Sequence, residues 1–169
     1  AGLTATLYLQ IGSILGAPFS GWLADKLRRR TPRGRMIVQA IGVFGAAPFV
    51  VVVGQSDTFL LTIVMLGLWG FFKGVYDANI FAAAYDVIPA EARATTAGVM
   101  NAVGWIGGGG GPLVIAKVKA YFDISLGDAL ALGAVSYVIS GIILLIGIAF
   151  FVKRDAAKME ALVAARAHA

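Results

Sequence analysis

The sequence predicts an all-α integral membrane protein, with about five transmembrane helices that belong to a larger helical bundle. Hydrophobic residues make up 59% of the 169 residues and charged residues only 14%. Mean hydropathy is +0.85, whereas a soluble domain of this size needs more polar surface. A bilayer core about 30 Å thick requires roughly 20 apolar residues in a helix. Five stretches reach that length: 2–24, 36–54, 58–85, 94–116 and 129–152.

The five predicted spans differ in charge. The first, second, fourth and fifth contain no charged residue, but the third carries Lys73 and Asp77. The sequence opens in a membrane segment without an initiator methionine or a cleavable signal peptide. Because an odd number of spans accompanies that start, we expect a fragment of a longer protein.

The loops predict the orientation of these spans. Six of the fourteen basic residues lie in the loop 25–35, which the positive-inside rule assigns to the cytoplasm. The next loop, 55–57, has no Lys or Arg, and in the loop 117–128 two lysines are balanced by two aspartates. The tail 153–169 is basic and helical in composition. A short cytoplasmic helix is one interpretation, but a solvated end that helps to anchor the last span is preferred. The N-terminus is therefore expected outside and the C-terminus inside, in a bacterial inner (plasma) membrane.

Several functional classes are disfavoured by composition. The chain has no cysteine, and its single histidine, His168, stands in the tail, where a solvated residue is expected rather than a ligand. We therefore expect neither a metal site nor a cofactor. The loops are too short for a soluble catalytic domain, so an enzyme is not expected. The net charge of +5 is explained by basic residues in the loops that are predicted to be cytoplasmic. No nucleic-acid partner is therefore predicted.

The third span contains the strongest candidate for a substrate site. Lys73 and Asp77 are four residues apart, so both lie on one helix face at mid-span. Trp69 joins that face one turn earlier, and Tyr76 flanks it. Ionisable groups inside a membrane are costly and indicate function by default. The alternative is an ion pair that neutralises itself while the helix packs.

Uncharged polar residues in the spans have two interpretations. Gln10 in the first span, Gln39 in the second and Asn101 in the fourth either line a cavity or form hydrogen bonds between helices. We include Asn101 and Gln10 among the candidate substrate-binding residues. Asn79 points away from Asp77, which favours a hydrogen bond to another helix.

Glycine is the remaining signal in the spans. Five consecutive glycines at 107–111 precede Pro112. A phosphate-binding loop is excluded, because no strand precedes them and no Lys-Ser/Thr follows. In a bilayer, small residues allow close helix packing and proline weakens the helix, so we expect a flexible, close-packed stretch. Glycine pairs spaced by four residues at 12 and 16 and at 70 and 74 are also present, but 22 glycines make such spacings common by chance.

Three segments resemble the major facilitator superfamily. Residues 21–30, Gly-Trp-Leu-Ala-Asp-Lys-Leu-Arg-Arg-Arg, resemble its G-x-x-x-D-R/K-x-G-R-R signature, with Arg28 in place of the glycine. Residues 86–93 are similar to its D-x-x-P-x-x-x-R element. Residues 97–112 are similar to the penultimate helix of sugar and organic-anion permeases.

The resemblance implies a twelve-helix transporter of two six-helix halves that works by alternating access. The chain then corresponds to helices eight to twelve or to helices two to six, and the basic tail favours the C-terminal half. The signature aspartate, Asp25, is expected against the start of the helix that opens near 92–95. The resemblance also implies a cytoplasmic latch, with a pure topology signal as the alternative. Its expected members are Gly21, Asp25, Lys26, Arg29, Arg30, Asp86 and Arg93.

The function predicted from these features is secondary active transport of a small polar solute, such as a sugar or an organic anion. Lys73 would meet an anionic group, and Asp77 would carry a proton if burial favours its neutral form. The expected partners are the solute, protons, the lipid bilayer and the remaining helices of the same transporter. The alternatives are a drug or metabolite efflux antiporter of the same superfamily and, with less support, an accessory membrane subunit, a membrane enzyme or a channel.

Overall fold

The computed structural model describes residues 2–167, and His168 lies outside them together with the expectation placed on it. Helices account for nearly all of this part of the chain, which contains no strand. A short 3-10 turn, Ala90–Ala92, precedes the fifth helix. The seven α-helices are α1 (Gly2–Arg28), α2 (Gly34–Gln55), α3 (Phe59–Asp77), α4 (Ile80–Tyr85), α5 (Arg93–Phe122), α6 (Leu126–Phe150) and α7 (Val152–Ala167).

Within residues 2–167, four helical segments are long and apolar enough to cross a membrane. They are Gly34–Gln55, Phe59–Tyr85, Ala90–Phe122 and Leu126–Phe150. The prediction of an all-helical membrane protein is thereby confirmed. Helix α1 has 27 residues but is less apolar, since it includes threonine, glutamine, serine and glycine. That α1 forms the first span remains a prediction.

The main helices pack side by side in parallel or antiparallel pairs, which gives the bundle two distinct ends. Contacts pair α1 with α3 in parallel, while α2 runs antiparallel to both α3 and α6. The charged end consists of residues 25–35, 86–93 and 152–167, and the opposite end consists of the loops 56–58 and 123–125. The expected loops therefore alternate between two ends, and the basic segments gather at one of them.

Helices α1 and α3 pack through glycine. A Cβ added at Gly12 or Gly16 would collide with the α3 backbone near Phe71, and one at Gly70 or Gly74 would collide with the α1 backbone. Small residues let two helix backbones approach closely, which is how helices associate in lipid. The pair Gly12 and Gly16 and the pair Gly70 and Gly74 therefore lie in the same helix interface. In the sequence, chance alone would explain their spacings.

Helix α2 lies between α3 and α6. The Phe49 and Phe72 rings stack with centroids 5.6 Å apart, and Phe72 also fills the space over Gly45. On the other side, the Phe44 ring covers Gly141 of α6. Aromatic rings and glycines thus alternate along α2 and fix its position between the two neighbouring helices.

Helix α5 is much less packed than the other long helices α1, α2, α3 and α6. None of its residues is buried, and a Cβ at each of the five glycines 107–111 would meet no atom within 4 Å. The helix continues through Pro112 without a break and ends at Phe122. The close packing expected for this glycine run is therefore not present within residues 2–167.

Candidate functional site

The third predicted span brings its two charged residues together as a pair. The Lys73 ammonium donates to the Asp77 carboxylate one helical turn away. Their side chains are 39% and 40% exposed. The pair is therefore half-open, which means that the packed helices do not enclose it. An ion pair that is still accessible on a membrane helix can exchange its partner for a ligand.

The pair borders a cavity of about 320 Å³ between α2, α3 and α6. This volume lies at the lower end of the range of roughly 300–1,000 Å³ that is usual for small-molecule sites. One wall is apolar and comes from α2, whereas the others carry hydroxyl and charged groups. The lining residues are Gly42, Val43, Ala46, Lys73, Tyr76, Asp77, Ser136, Tyr137 and Ser140.

Helix α6 contributes cavity residues that the sequence analysis missed. The Trp69 indole N–H donates to the Tyr137 hydroxyl over 2.9 Å, which joins α3 to α6 at the rim of the cavity. Ser136 and Ser140 line the cavity beside Tyr137. Positions 136, 137 and 140 lie on one face of an otherwise apolar helix. This group of hydroxyl residues was the sequence signal that could have identified them.

Two of the predicted binding residues lie apart from this cavity. Gln10 is exposed on α1, and Asn101 is exposed on α5. Neither contributes to the cavity lining, which draws on α2, α3 and α6. The structure thus brings Lys73, Asp77 and Tyr76 together, with Trp69 adjoining them through Tyr137.

Asn79 forms the hydrogen bond to another helix that its position predicts. Its Nδ2 donates to the Ser20 hydroxyl of α1 over 2.6 Å. Gln39 of α2 donates to the Asn79 carbonyl oxygen over 2.5 Å. All three side chains are buried, so Gln39 serves helix packing rather than cavity lining.

At the charged end, Asp86 is the centre of an ion-pair cluster. Its Oδ1 accepts a hydrogen bond from Arg35 over 2.8 Å and forms an ion pair with Arg28 at 2.9 Å. Arg35 also donates to the Ala82 carbonyl oxygen over 3.1 Å. Asp25 lies 3.9 Å from Arg35 and is 70% exposed. Its described ion pair is therefore with Arg35 of α2, rather than with the helix start near 92–95.

The other predicted latch residues lie around this cluster. Lys26 is exposed, with its Nζ 5.0 Å from the centroid of the Trp22 ring. Arg93 donates to the Tyr85 carbonyl oxygen over 3.2 Å and lies 5.6 Å from the centroid of that ring. Arg29 and Arg30 are exposed, and Gly21 has open space where a Cβ would be. The sequence analysis did not select Arg28 and Arg35, the two cations that contact Asp86.

Helix α7 lies across the charged end. Arg166 pairs with Glu91 at 2.5 Å, which ties the end of α7 to the 3-10 turn that precedes α5. Val152, where α7 begins, is buried. The tail is thus helical from Val152 to Ala167, which was the less preferred of its two interpretations. Among residues 2–167, no group of three metal-ligating side chains is found.

These features define an apolar helical bundle with a polar cavity inside it and an ion-pair cluster at one end. The sequence profile of the Major Facilitator Superfamily matches residues 1–168. The chain therefore belongs to this superfamily of membrane transporters, and it is part of an integral membrane protein.

A curated relative agrees with this assignment. The chain is 30% identical over 151 residues to the "Putative metabolite transport protein YdjK" of Escherichia coli (strain K12). The match covers 86% of this chain and 31% of the relative, so the chain spans about a third of that protein's length. No solved structure matches the chain significantly.

Proposed function

We propose that the chain is part of a secondary active transporter for a small polar solute, such as a sugar or an organic anion, and that the cavity between α2, α3 and α6 belongs to its solute site. The observation that carries the proposal is the half-open Lys73–Asp77 pair, which borders this cavity. The relative's printed name, which refers to metabolite transport, supports the same class.

The cavity offers the groups that a polyhydroxylated or anionic solute requires. Lys73 donates hydrogen bonds and carries positive charge, and Asp77 accepts hydrogen bonds. The hydroxyls of Ser136, Tyr137 and Ser140 both donate and accept. An anionic solute would replace Asp77 as the partner of Lys73, whereas a sugar would bridge the two.

We propose that the same pair couples transport to protons. Protonation of Asp77 would remove its charge and release Lys73 for an anionic solute. Loss of the proton would restore the ion pair and favour solute release. Transport driven in this way depends on an imposed pH gradient, which gives the coupling a direct test.

The charged end is proposed as the latch that holds one conformation of the alternating-access cycle. Asp86, Arg28 and Arg35 form its ion-pair centre, and Asp25 adds a longer contact to Arg35. The positive-inside rule supports a cytoplasmic position for this end, with α1 as the first span and its N-terminus outside. We propose the bacterial inner membrane as the location.

Uptake by the full-length protein in liposomes tests the solute site. The probes are radiolabelled hexoses and dicarboxylates, each measured with and without an inward proton gradient. Lys73→Ala and Asp77→Asn should each reduce uptake at least tenfold, whereas Lys117→Ala at the exposed end of α5 serves as the control. Undiminished uptake in both cavity variants would refute the proposed site. Solute uptake that does not depend on the proton gradient would refute only the proposed proton coupling.

A further inference from the structure

The helix that carries Lys73 and Asp77 is interrupted directly after this pair. Helix α3 ends at Asp77 and α4 begins at Ile80. The Asn79 N–H donates to the Tyr76 carbonyl oxygen over 3.2 Å, so the pairing of a regular α-helix with Val75 is absent. Sharp bends in helices usually have a proline or an inserted side chain as their cause. No proline lies between positions 49 and 88.

Side chains from two other helices occupy the interruption. The Ser20 hydroxyl of α1 donates to the free Val75 carbonyl oxygen over 2.6 Å and accepts from Asn79 over 2.6 Å. Gln39 of α2 donates to the carbonyl oxygen of Asn79 over 2.5 Å. An unpaired carbonyl group in apolar surroundings is unfavourable, and these contacts satisfy it. Ser20, Gln39 and Asn79 are called the buried triad below.

The interruption separates the two candidate functional regions. The Lys73–Asp77 pair lies on one side of it, beside the cavity. On the other side, α4 leads directly to Asp86, which contacts Arg28 and Arg35. Helix α4 has six residues, none of them buried. Its position therefore depends largely on the buried triad at its start and on the Asp86 cluster at its end.

We infer that Ser20, Gln39 and Asn79 are positioning residues: their hydrogen bonds hold the interruption in the conformation that places Asp86 beside Arg28 and Arg35. Loss of one of these bonds lets α4 rotate about Asn79 and separates Asp86 from the arginines. The segment between the cavity and the charged end is then a pivot in the transporter. The inference does not depend on which solute is carried.

Cysteine alkylation in the full-length protein measures opening at the pivot without a solute. The reporter is Ala24→Cys, because Ala24 is fully buried in a cluster with Val75 and Val38, one helical turn after Ser20. This chain has no cysteine, and any others in the full-length protein are first replaced. N-Ethylmaleimide modifies the thiol only when the packing of α1 against Val38 and Val75, beside the buried triad, opens. Because Ser20→Ala removes two buried hydrogen bonds and leaves the Val75 carbonyl oxygen and the Asn79 amide without this partner, the rate should rise about tenfold.

Two controls separate a pivot from a general loss of stability. Ala129→Cys is an equally buried reporter at the opposite end of the bundle, and its alkylation rate should stay unchanged. Ser13→Ala changes a serine two turns earlier in α1, for which no side-chain hydrogen bond is described, and should leave both reporters unchanged. Ser20→Thr, which keeps the hydroxyl, should restore slow alkylation at position 24.

The outcomes are separable from those of the uptake experiment. Acceleration at position 24 alone supports the pivot, even if the cavity proposal fails. Equal acceleration at positions 24 and 129, or no acceleration at either, overturns it. If Ser20→Ala does not fold, Gln39→Leu is measured instead, because it removes only the bond to the Asn79 carbonyl group. Failure of both variants to fold would mean that the triad is needed for the fold itself and would also overturn the inference.

Discussion

Two glycine-rich regions of this chain behave in opposite ways. Between α1 and α3, Gly12, Gly16, Gly70 and Gly74 allow backbone contacts that no larger residue would permit. In α5, the glycines 107–111 face open space within residues 2–167. The α5 run is the denser of the two, so glycine content does not determine where helices pack. Close approach requires a facing helix whose own surface has matching gaps.

The difference also bears on the rest of the protein. The chain spans about a third of the relative's length. Apolar side chains and glycines on α5 are exposed here, among them Trp105 at 79%. We expect helices from outside this chain to pack against that surface. The α1–α3 interface, by contrast, is complete within the chain and fixes the orientation of the Lys73–Asp77 pair.

The largest expected effect is at the α1–α3 interface. Gly74→Leu should cost about 3 kcal/mol or more of stability, because its Cβ would collide with the α1 backbone at Ser13. Size-exclusion chromatography of the full-length protein in detergent measures the folded fraction. Gly67→Leu is the matched control two turns earlier in α3, where a Cβ meets no atom within 4 Å. Equal losses in the two variants would argue against the described interface.

The next effect contrasts two aspartates at the charged end. Asp86→Asn should lower thermal stability by about 2 kcal/mol, because Arg28 and Arg35 lose the charge that they share. Asp25→Asn should change it by less than about 0.5 kcal/mol, since Asp25 is mostly exposed and its contact is long. Thermal unfolding of the full-length protein gives both values. A larger loss for Asp25→Asn would identify Asp25 as the principal carboxylate.

A smaller effect is expected from the same substitution in two regions. Trp69→Phe removes the hydrogen bond to Tyr137 at the cavity and should raise the KM for a transported solute about fivefold. Trp105→Phe on α5 should leave KM unchanged, since this ring lies outside the cavity. Initial uptake rates over a range of solute concentrations measure both. A larger increase in KM for Trp105→Phe than for Trp69→Phe would assign solute binding to α5.

The smallest effect is expected at the uncharged polar residues that the sequence analysis selected. Asn101→Ala and Gln10→Ala should change stability by less than about 0.5 kcal/mol, because both side chains are exposed. Uptake should also be retained, since neither lines the cavity. A loss of uptake with normal stability would show that Asn101 and Gln10 contact the solute, as the sequence-based hypothesis predicts.

Local sequence predicted the helical membrane fold but not the interruption of the third span. Length and hydropathy are properties of single segments, so the span 58–85 was expected to be continuous. The interruption at Ala78 and Asn79 is contacted by Ser20 and Gln39, which come from other helices and leave no local signal such as proline. The hydrogen bond of Asn79 to another helix was nevertheless predicted from its side of the helix.

The residues of the candidate site were also predicted only in part from the sequence. The cost of charge in a membrane identified Lys73 and Asp77, and their helical spacing predicted a shared face. The hydroxyls of α6 were missed because uncharged residues in an apolar helix are a weak signal. At the charged end, the motif identified Asp86. The choice of Arg28 and Arg35 among several nearby cations depends on the way α1, α2 and α4 meet.

The central claim is that the cavity between α2, α3 and α6 receives the solute. Alkylation of Ser140→Cys, which lines the cavity, is measured in the full-length protein with and without a solute that it takes up. Val138→Cys on the same helix, outside the cavity lining, is the control. The account predicts that the solute slows modification at position 140 several-fold and leaves position 138 unchanged. Equal rates at position 140 with and without saturating solute would contradict it.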